Sequence, residues 1–264
     1  MKRVNPLKLF FHYVSINIRS MMQYKMSFFL TAIGQFLTAF NVLIGVYFMF
    51  RRFHGVKGFT YGEVILCFSV FLMGYTLAEM WARGFDAFSG TVRGGEFDRL
   101  LVRPRGEILQ VLGSKFEFTR IARLLQAVVM LVYGIVKGGV TWTAGRVLAV
   151  FFMLLGGTAL FAGIFLIYAA LCFFTLDSLE IMNVFTDGAR EFGKYPLGIY
   201  GKKILRLTTF VIPYAPVQYY PFLYLTGRSE NIFFIFVPLL AILFIIPAYG
   251  FWRFGVRSYK SSGS

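Results

Sequence analysis

Charge is scarce in this chain. Of 264 residues only 15% are charged, 12 of them acidic, against 58% hydrophobic. A soluble globular domain carries about 25% charge and about 45–50% apolar residues. Cysteine and histidine are scarcer still, at two each. Cys67 and Cys172 both sit inside apolar runs, so neither a disulfide framework nor a thiolate metal set can be assembled; they read as small buried hydrophobes. His12 and His54 lie far apart. There is no H-E-x-x-H, no G-x-S-x-G and no acidic metal cluster, which leaves no catalytic constellation and no cofactor or metal site to propose.

The missing charge is missing in blocks. Met26–Phe50, Val147–Leu176, Leu207–Gly227 and Ile232–Trp252 contain no charged residue. A helix crosses the hydrocarbon core with about 20 apolar residues, and each block is long enough. Tyr61–Ala82 adds a span with Glu63 and Glu79 near its ends. Ile121–Val136 adds another, with Arg123 near its start, where a long side chain snorkels to the interface. The expected class is an all-α polytopic membrane protein in one domain, residues 1–264. The first 25 residues are too polar for a cleaved signal, and the run after them is longer than a signal-peptide core.

The net charge of +15 invites a nucleic-acid partner, but its distribution argues against one. The basic residues flank the apolar blocks, and cytoplasmic loops carry the excess of Lys and Arg. With the N-terminus inside, residues 1–25, 83–123 and the tail hold sixteen basic residues, and the three short outer loops hold six; the five at 190–206 stand apart from this count. Both termini are therefore expected in the cytoplasm. Residues 1–25 read as an amphipathic interfacial helix capped by Asn5, with Leu7, Phe11, Val14, Ile18 and Met21 on one face. A plain membrane anchor and a docking surface both fit it.

The expected spans are 26–50, 61–82, 117–136, 147–175 and 232–252, and one crossing is ambiguous. Ile181, Phe185, Gly188, Phe192 and Tyr195 form one helical face, with Asp177, Glu180, Asp187, Arg190, Glu191 and Lys194 opposite. Central charges cost roughly 2.5–3.5 kcal/mol each in a lipid-facing span. Either 176–195 lies on the cytoplasmic side and 207–227 is the fifth crossing, or 176–195 crosses with its charged face toward protein or water. In the second case 196–228 is an external re-entrant hairpin broken by Pro213, Pro216 and Pro221. Asp177, Glu180, Asp187 and Glu191 are then candidates for a cavity or interface, with pairing to Arg190 and Lys194 as the plainer role.

Gly188–Lys194 comes within one residue of a phosphate-binding loop. Tyr195 stands where Ser or Thr is needed, and no strand precedes it, so chance explains it. Gly134 and Gly138 form a small-xxx-small pair, a weak helix-packing signal. The remaining oddity is a polar island between the second and third expected spans, Gly94-Gly95-Glu96-Phe97-Asp98-Arg99-Leu100-Leu101-Val102-Arg103-Pro104-Arg105, within a cytoplasmic segment at 90–110. Glu96 and Asp98 precede Arg103 and Arg105, the charge order that a short helix prefers, and Phe97, Leu100 and Leu101 give it an apolar side. From physics it suits a helix resting on headgroups or a helix docking on a partner equally well.

The pattern G-x-x-D-x-x-L-x-x-P at 95–104, after a second crossing, resembles the segment following the second helix of ABC-2-type ABC transporter permeases. It is closest to the bacterial branch of about 260 residues whose paired permeases are encoded beside an ATPase. Tyr195-Pro196, Ile212-Pro213, Tyr220-Pro221 and Leu225-Thr-Gly-Arg228 resemble that branch as well. The resemblance implies six transmembrane helices of the type V exporter-like fold, with an N-terminal interfacial helix. It implies that Gly95, Glu96, Phe97, Asp98, Leu101, Arg103 and Pro104 belong to a cytoplasmic coupling helix on a separate ATPase subunit. It also implies a second permease, the same or paralogous, in the plasma membrane of a bacterium, ATP-driven export, and the hairpin at 196–228 outside. The competing classes are an integral membrane enzyme acting on lipid, which needs polar catalytic groups that cannot be assembled here, and an ion-driven transporter.

Overall fold

The structure, a computed structural model, describes residues 6–53, 58–175 and 180–259. Asn5, His54 and Asp177 lie outside them. Most of the described residues are helical, with no strand among them. In chain order the helices are α1 (Pro6–Met22), α2 (Lys25–Phe53), α3 (Tyr61–Trp81), α4 (Arg83–Asp86), α5 (Phe88–Arg93), α6 (Glu96–Leu101), α7 (Glu107–Ser114), α8 (Ile121–Lys137) and α9 (Ala144–Thr175). A short helix α10 (Ile181–Asn183) continues through a π turn (Val184–Gly188) into α11 (Ala189–Phe192). Then come α12 (Lys202–Phe210), α13 (Tyr214–Val217), α14 (Tyr219–Leu225) and α15 (Ile245–Ser258), the last entered through a 3₁₀ run at Val237–Phe244.

Four helices among the described residues are long and apolar enough to cross a membrane: Tyr61–Trp81, Phe118–Lys137, Ala144–Thr175 and Val237–Ser258. The chain is a multi-pass membrane protein. Helix α3 is the centre of the bundle. It is buried on every side, packed against α8 and α9, and its residues are accordingly apolar all round rather than amphipathic. Its start is fixed by a capping box, in which Thr60 Oγ1 accepts from the Glu63 amide and Glu63 accepts from the Thr60 amide at 2.7 Å. Glu63 also accepts two hydrogen bonds from Arg228, at 3.0 and 3.1 Å. The Arg228 guanidinium lies 3.9 Å over the Phe59 ring. The end of α14 is thereby pinned beside the start of α3.

The seam between α3 and α8 depends on missing side chains. A Cβ on Gly134 would meet the backbone of Leu66, and one on Gly62 would meet the carbonyl of Lys137. The two helices run antiparallel with their backbones in contact, and the partner of the Gly134/Gly138 pair is α3. Such close approach is what small residues supply in membrane helix packing.

The segment around α10 and α11 runs beside α3 in the opposite direction. Asp187 faces Tyr75, Gly193 lies against Phe71, and the Tyr195 hydroxyl reaches Met49 Sδ, near the far end of α2, at 3.0 Å. Gln218 fastens the next turn. Its Oε1 accepts from the Leu197 amide at 3.1 Å, and its Nε2 donates to the carbonyls of Gly193 and Tyr195 at 2.9 and 3.1 Å. Residues 196–228 dip back along the bundle, with Tyr214 against Phe71 midway along α3, and then reach the end where α3 begins, with Phe222 on Phe59 and Arg228 on Glu63, opposite the end where α4 to α7 lie.

Candidate functional site

Two features gather at the end of the bundle where α3 finishes. The first is the polar island. Gly95 begins it with φ +66°, a left-handed conformation that a residue without Cβ adopts freely, and α6 follows with Glu96 and Asp98 in its first turn. Phe97 is fully buried. Its ring sits in an aromatic box, 5.4 Å from Phe88, 4.9 Å from Phe173, 5.1 Å from Tyr259 and 6.3 Å from Trp252 between centroids. Phe97 therefore anchors α6 to the ends of α9 and α15 and has no free surface to offer a partner. Asp98 is half-buried and interacts with the Tyr259 hydroxyl; burial first, then the Asp98 charge, push that phenol above its ordinary range.

What α6 presents outward lies at its C-terminal end. Leu101, Arg103, Pro104 and Arg105 are exposed, and Val102 is 83% exposed. Glu96 and Arg99 are exposed at its side. The loop is held in shape from below: Gln110 Nε2 donates to the carbonyls of Leu100 and Arg105 at 3.0 and 3.1 Å. Helix α7 is in turn fixed to α15 by Glu107 and Arg253, 2.8 Å apart, and to α1 by Asn17, which donates to the Gly113 carbonyl at 3.1 Å. The result is an apolar tip, Leu101–Val102, ringed by arginines and mounted on a rigid base.

The second feature is a polar cavity of about 320 Å³ between α3, α4, α8, α9 and the π turn. Tyr75, Glu79, Arg83, Asp86, Arg120, Arg123, Tyr168, Asn183, Thr186 and Asp187 line it. Glu79 is its buried hub, paired with Arg123 and, at 3.1 Å, with Arg120. Arg123 also donates to Gln35 Oε1 at 2.7 Å, which ties α2 to α3 and α8. Arg83 pairs with Asp86. Burial raises the Asp86 carboxyl above its ordinary range against the pull of Arg83.

A family model, that of the ABC-2 family transporter proteins, matches residues 36–263. The chain belongs to that family. No curated protein and no solved structure matches it at a level that supports comparison.

In this ABC-2 permease the candidate residues fall into separate places. Gly95, Glu96, Phe97, Asp98, Leu101, Arg103 and Pro104 form one element, divided into a buried anchor and an exposed tip. Asp187 lines the polar cavity, accepting from the Tyr75 hydroxyl at 3.1 Å, with Arg190 at 3.3 Å. Glu191 pairs with Lys194, and Glu180 is exposed; neither is among the cavity's lining residues. The pairing with Arg190 and Lys194 is thus present for Asp187 and Glu191. Arg123 departs from its expected place. It does not snorkel but turns inward to Glu79, because a guanidinium among apolar neighbours is favoured where a carboxylate and an amide oxygen meet it. The Glu79–Arg120–Arg123 hub was missed from sequence. Its one trace was an acid near the end of one span opposite bases near the start of the next.

Proposed function

We propose that the chain is the membrane subunit of an ATP-driven exporter, coupled through α6 and the loop after it to a separate ABC ATPase. The observation that carries this is the exposed Leu101–Val102 tip ringed by Arg99, Arg103 and Arg105 on a base tied to α1, α9 and α15. A headgroup-resting helix would bury its apolar side in lipid; here that side is spent on Phe97 inside the protein, and the apolar tip points away from the bundle. An apolar knob with basic flanks suits an acidic-rimmed groove on a partner. Family membership supports naming that partner as an ATPase, the charge count supports placing this end in the cytoplasm, and the resemblance to the bacterial branch supports a bacterial cell.

The same reading counts six crossings. Helix α2 joins the four above, since Met26–Phe50 holds no charge, and the segment through α10 and α11 supplies the fifth in order. Its course from Tyr75 to Met49 supports the re-entrant hairpin at 196–228 on the outer side, and its acids are paired within the segment, Asp187 with Arg190 and Glu191 with Lys194. A second permease, the same or paralogous, completes the pathway. ATP-driven closure of the ATPases then shifts the pair between inward- and outward-open states.

The test is co-expression with an ABC ATPase encoded beside the gene. Wild type is expected to co-purify with it and to stimulate ATP turnover. Leu101→Asp with Arg103→Glu is expected to abolish both while the permease still folds. Unchanged assembly and turnover would sink the coupling claim. A cysteine at Gly201, labelled by an impermeant reagent in intact cells, checks the hairpin; labelling only after permeabilisation would place it inside.

A further inference from the structure

The polar cavity holds more charge than helix packing requires. Three arginines, Arg83 from α4 and Arg120 and Arg123 from the start of α8, converge on it with three carboxylates, Glu79, Asp86 and Asp187. Packing needs only the close pairs themselves, Arg83 with Asp86 and both Arg120 and Arg123 with Glu79. Here a polar space of about 320 Å³ stands open among them, at the lower end of the ~300–1,000 Å³ of small-molecule sites. The pairing is also incomplete. Arg83 Nε and Arg120 Nε are buried with no hydrogen-bond acceptor among the described residues; the nearest acid to the former, Glu117, is 3.7 Å away.

Two guanidinium N–H groups without acceptors call for oxygen, and guanidinium geometry suits carboxylate or phosphate. A plain anion is disfavoured, because the three acids line the same space. Asp187 differs from the other two. All three acids are held by arginine, Asp187 by Arg190 at 3.3 Å, but only Asp187 is more than half exposed, at 55%, with the Tyr75 hydroxyl beside it. It is the acid best placed to receive a cation. The lining is polar, so an acyl chain or an apolar ring has no surface to bury there.

We propose that this cavity binds a small zwitterion, its anionic end received by Arg83 and Arg120 and its cationic end by Asp187. The chemistry is that of an amino acid or a phosphoethanolamine group, either as a free solute or as the head of a lipid. The site belongs to a single chain and needs no second permease. The exporter reading enters only in placing its mouth toward the cytoplasm.

The experiment is calorimetric titration of the full chain in detergent micelles with three probes: phosphoethanolamine, inorganic phosphate and ethanolamine. The zwitterion is expected to bind at least about tenfold more tightly than either half. Arg120→Lys keeps the charge on Glu79 but removes the planar N–H; Asp187→Asn keeps the acceptor for Tyr75. Each is expected to weaken phosphoethanolamine by about tenfold or more with an unchanged melting midpoint. No binding, equal binding of phosphate alone, or variants that bind like wild type overturn the proposal. The wild-type comparison of the three probes decides even where a variant fails to fold. In nanodiscs, loss of phosphoethanolamine binding on replacing phosphatidylglycerol by phosphatidylethanolamine assigns the site to a lipid head; retained binding assigns it to a solute. Binding needs no ATPase, so failed coupling with binding intact counts against the exporter reading alone, and the converse against this one alone.

Discussion

Replacing Glu79 by Gln strips the cavity's hub of its charge while keeping its shape. Glu79 is 4% exposed and faces Arg123 and Arg120, with Arg120 at 3.1 Å. Without the carboxylate, two largely buried guanidinium groups confront each other. Arg123 keeps Gln35, 2.7 Å away, but an amide oxygen does not neutralise a charge. Removing one partner of a buried pair costs about 3–5 kcal/mol, because the other charge stays buried. For a domain near this size 1 kcal/mol moves the melting midpoint by about 2–4 °C, so Glu79→Gln should lower it by roughly 6–20 °C. Arg123→Gln should do less harm, since Glu79 keeps Arg120. The double variant should be less damaging than the two singles summed, by about 0.5–3 kcal/mol, the coupling of groups in one network. The assay is thermal unfolding of the four proteins in one detergent at one concentration. A Glu79→Gln midpoint within about 2 °C of wild type, or strict additivity of the two singles, would refute the reasoning.

Phe97→Ala should cost about 3–5 kcal/mol, as emptying a buried aromatic site does. Leu101→Asp, at an exposed site, should leave the midpoint unchanged within about 0.5 kcal/mol yet abolish ATPase stimulation. Gly134→Val should destabilise by about 1–3 kcal/mol or more through overpacking against Leu66, read by the same unfolding assay. Gly34→Val is the control, since a Cβ there meets nothing within 4 Å. For Tyr259 the folded-state pKa is raised by burial and by Asp98. Its contribution to stability is therefore full below the ordinary phenol value near 10 and is lost as pH rises through the folded value. Melting curves at pH 8 and pH 11 should separate wild type from Tyr259→Phe only by a steeper alkaline loss in wild type; identical pH dependence would remove Tyr259 from the account.

The sequence carried the long elements because their signal is bulk. Runs such as Val147–Leu176 lack charge over a span's length, and no tertiary detail changes what that means in lipid. The polar island was legible as an element, since its glycines, acids and proline mark a start and a stop. The division of labour within it was not. Phe97 and Leu101 are both apolar residues of one short helix, four apart, and only the aromatic rings from α5, α9 and α15 decide that Phe97 is swallowed and Leu101 is not. The hub at Glu79 was hidden for a related reason. Its partners lie some forty residues on, and register between antiparallel helices is set by contacts such as Gly134 on Leu66, which hydropathy does not contain.

The placement of the two sites also limits how force can pass between them. The tip at Leu101–Val102 is carried by Phe97, whose box includes Phe173 of α9 and Trp252 of α15. Its base, α7, is fastened to α15 through Glu107 and Arg253 and to α1 through Asn17. A displacement of the tip is therefore expected to move the ends of α9 and α15 together with α1, through Phe97, Glu107 and Asn17. The cavity shares α9 through Tyr168 and opens beside α4, which packs directly on α7; a Cβ on Gly84 would meet the Val111 carbonyl. Arg83 and Asp86 ride on α4, whereas Arg120 and Arg123 enter with α8, and Asp187 with the π turn. In the coupled reading, a shift of α4 with α7 would change the distance from Arg83 to Arg120, which sit on different elements. In the reading developed here, motion at the tip alters the half of the cavity that would receive an anionic group, and the arginine pair, rather than the hub, is where coupling and binding meet.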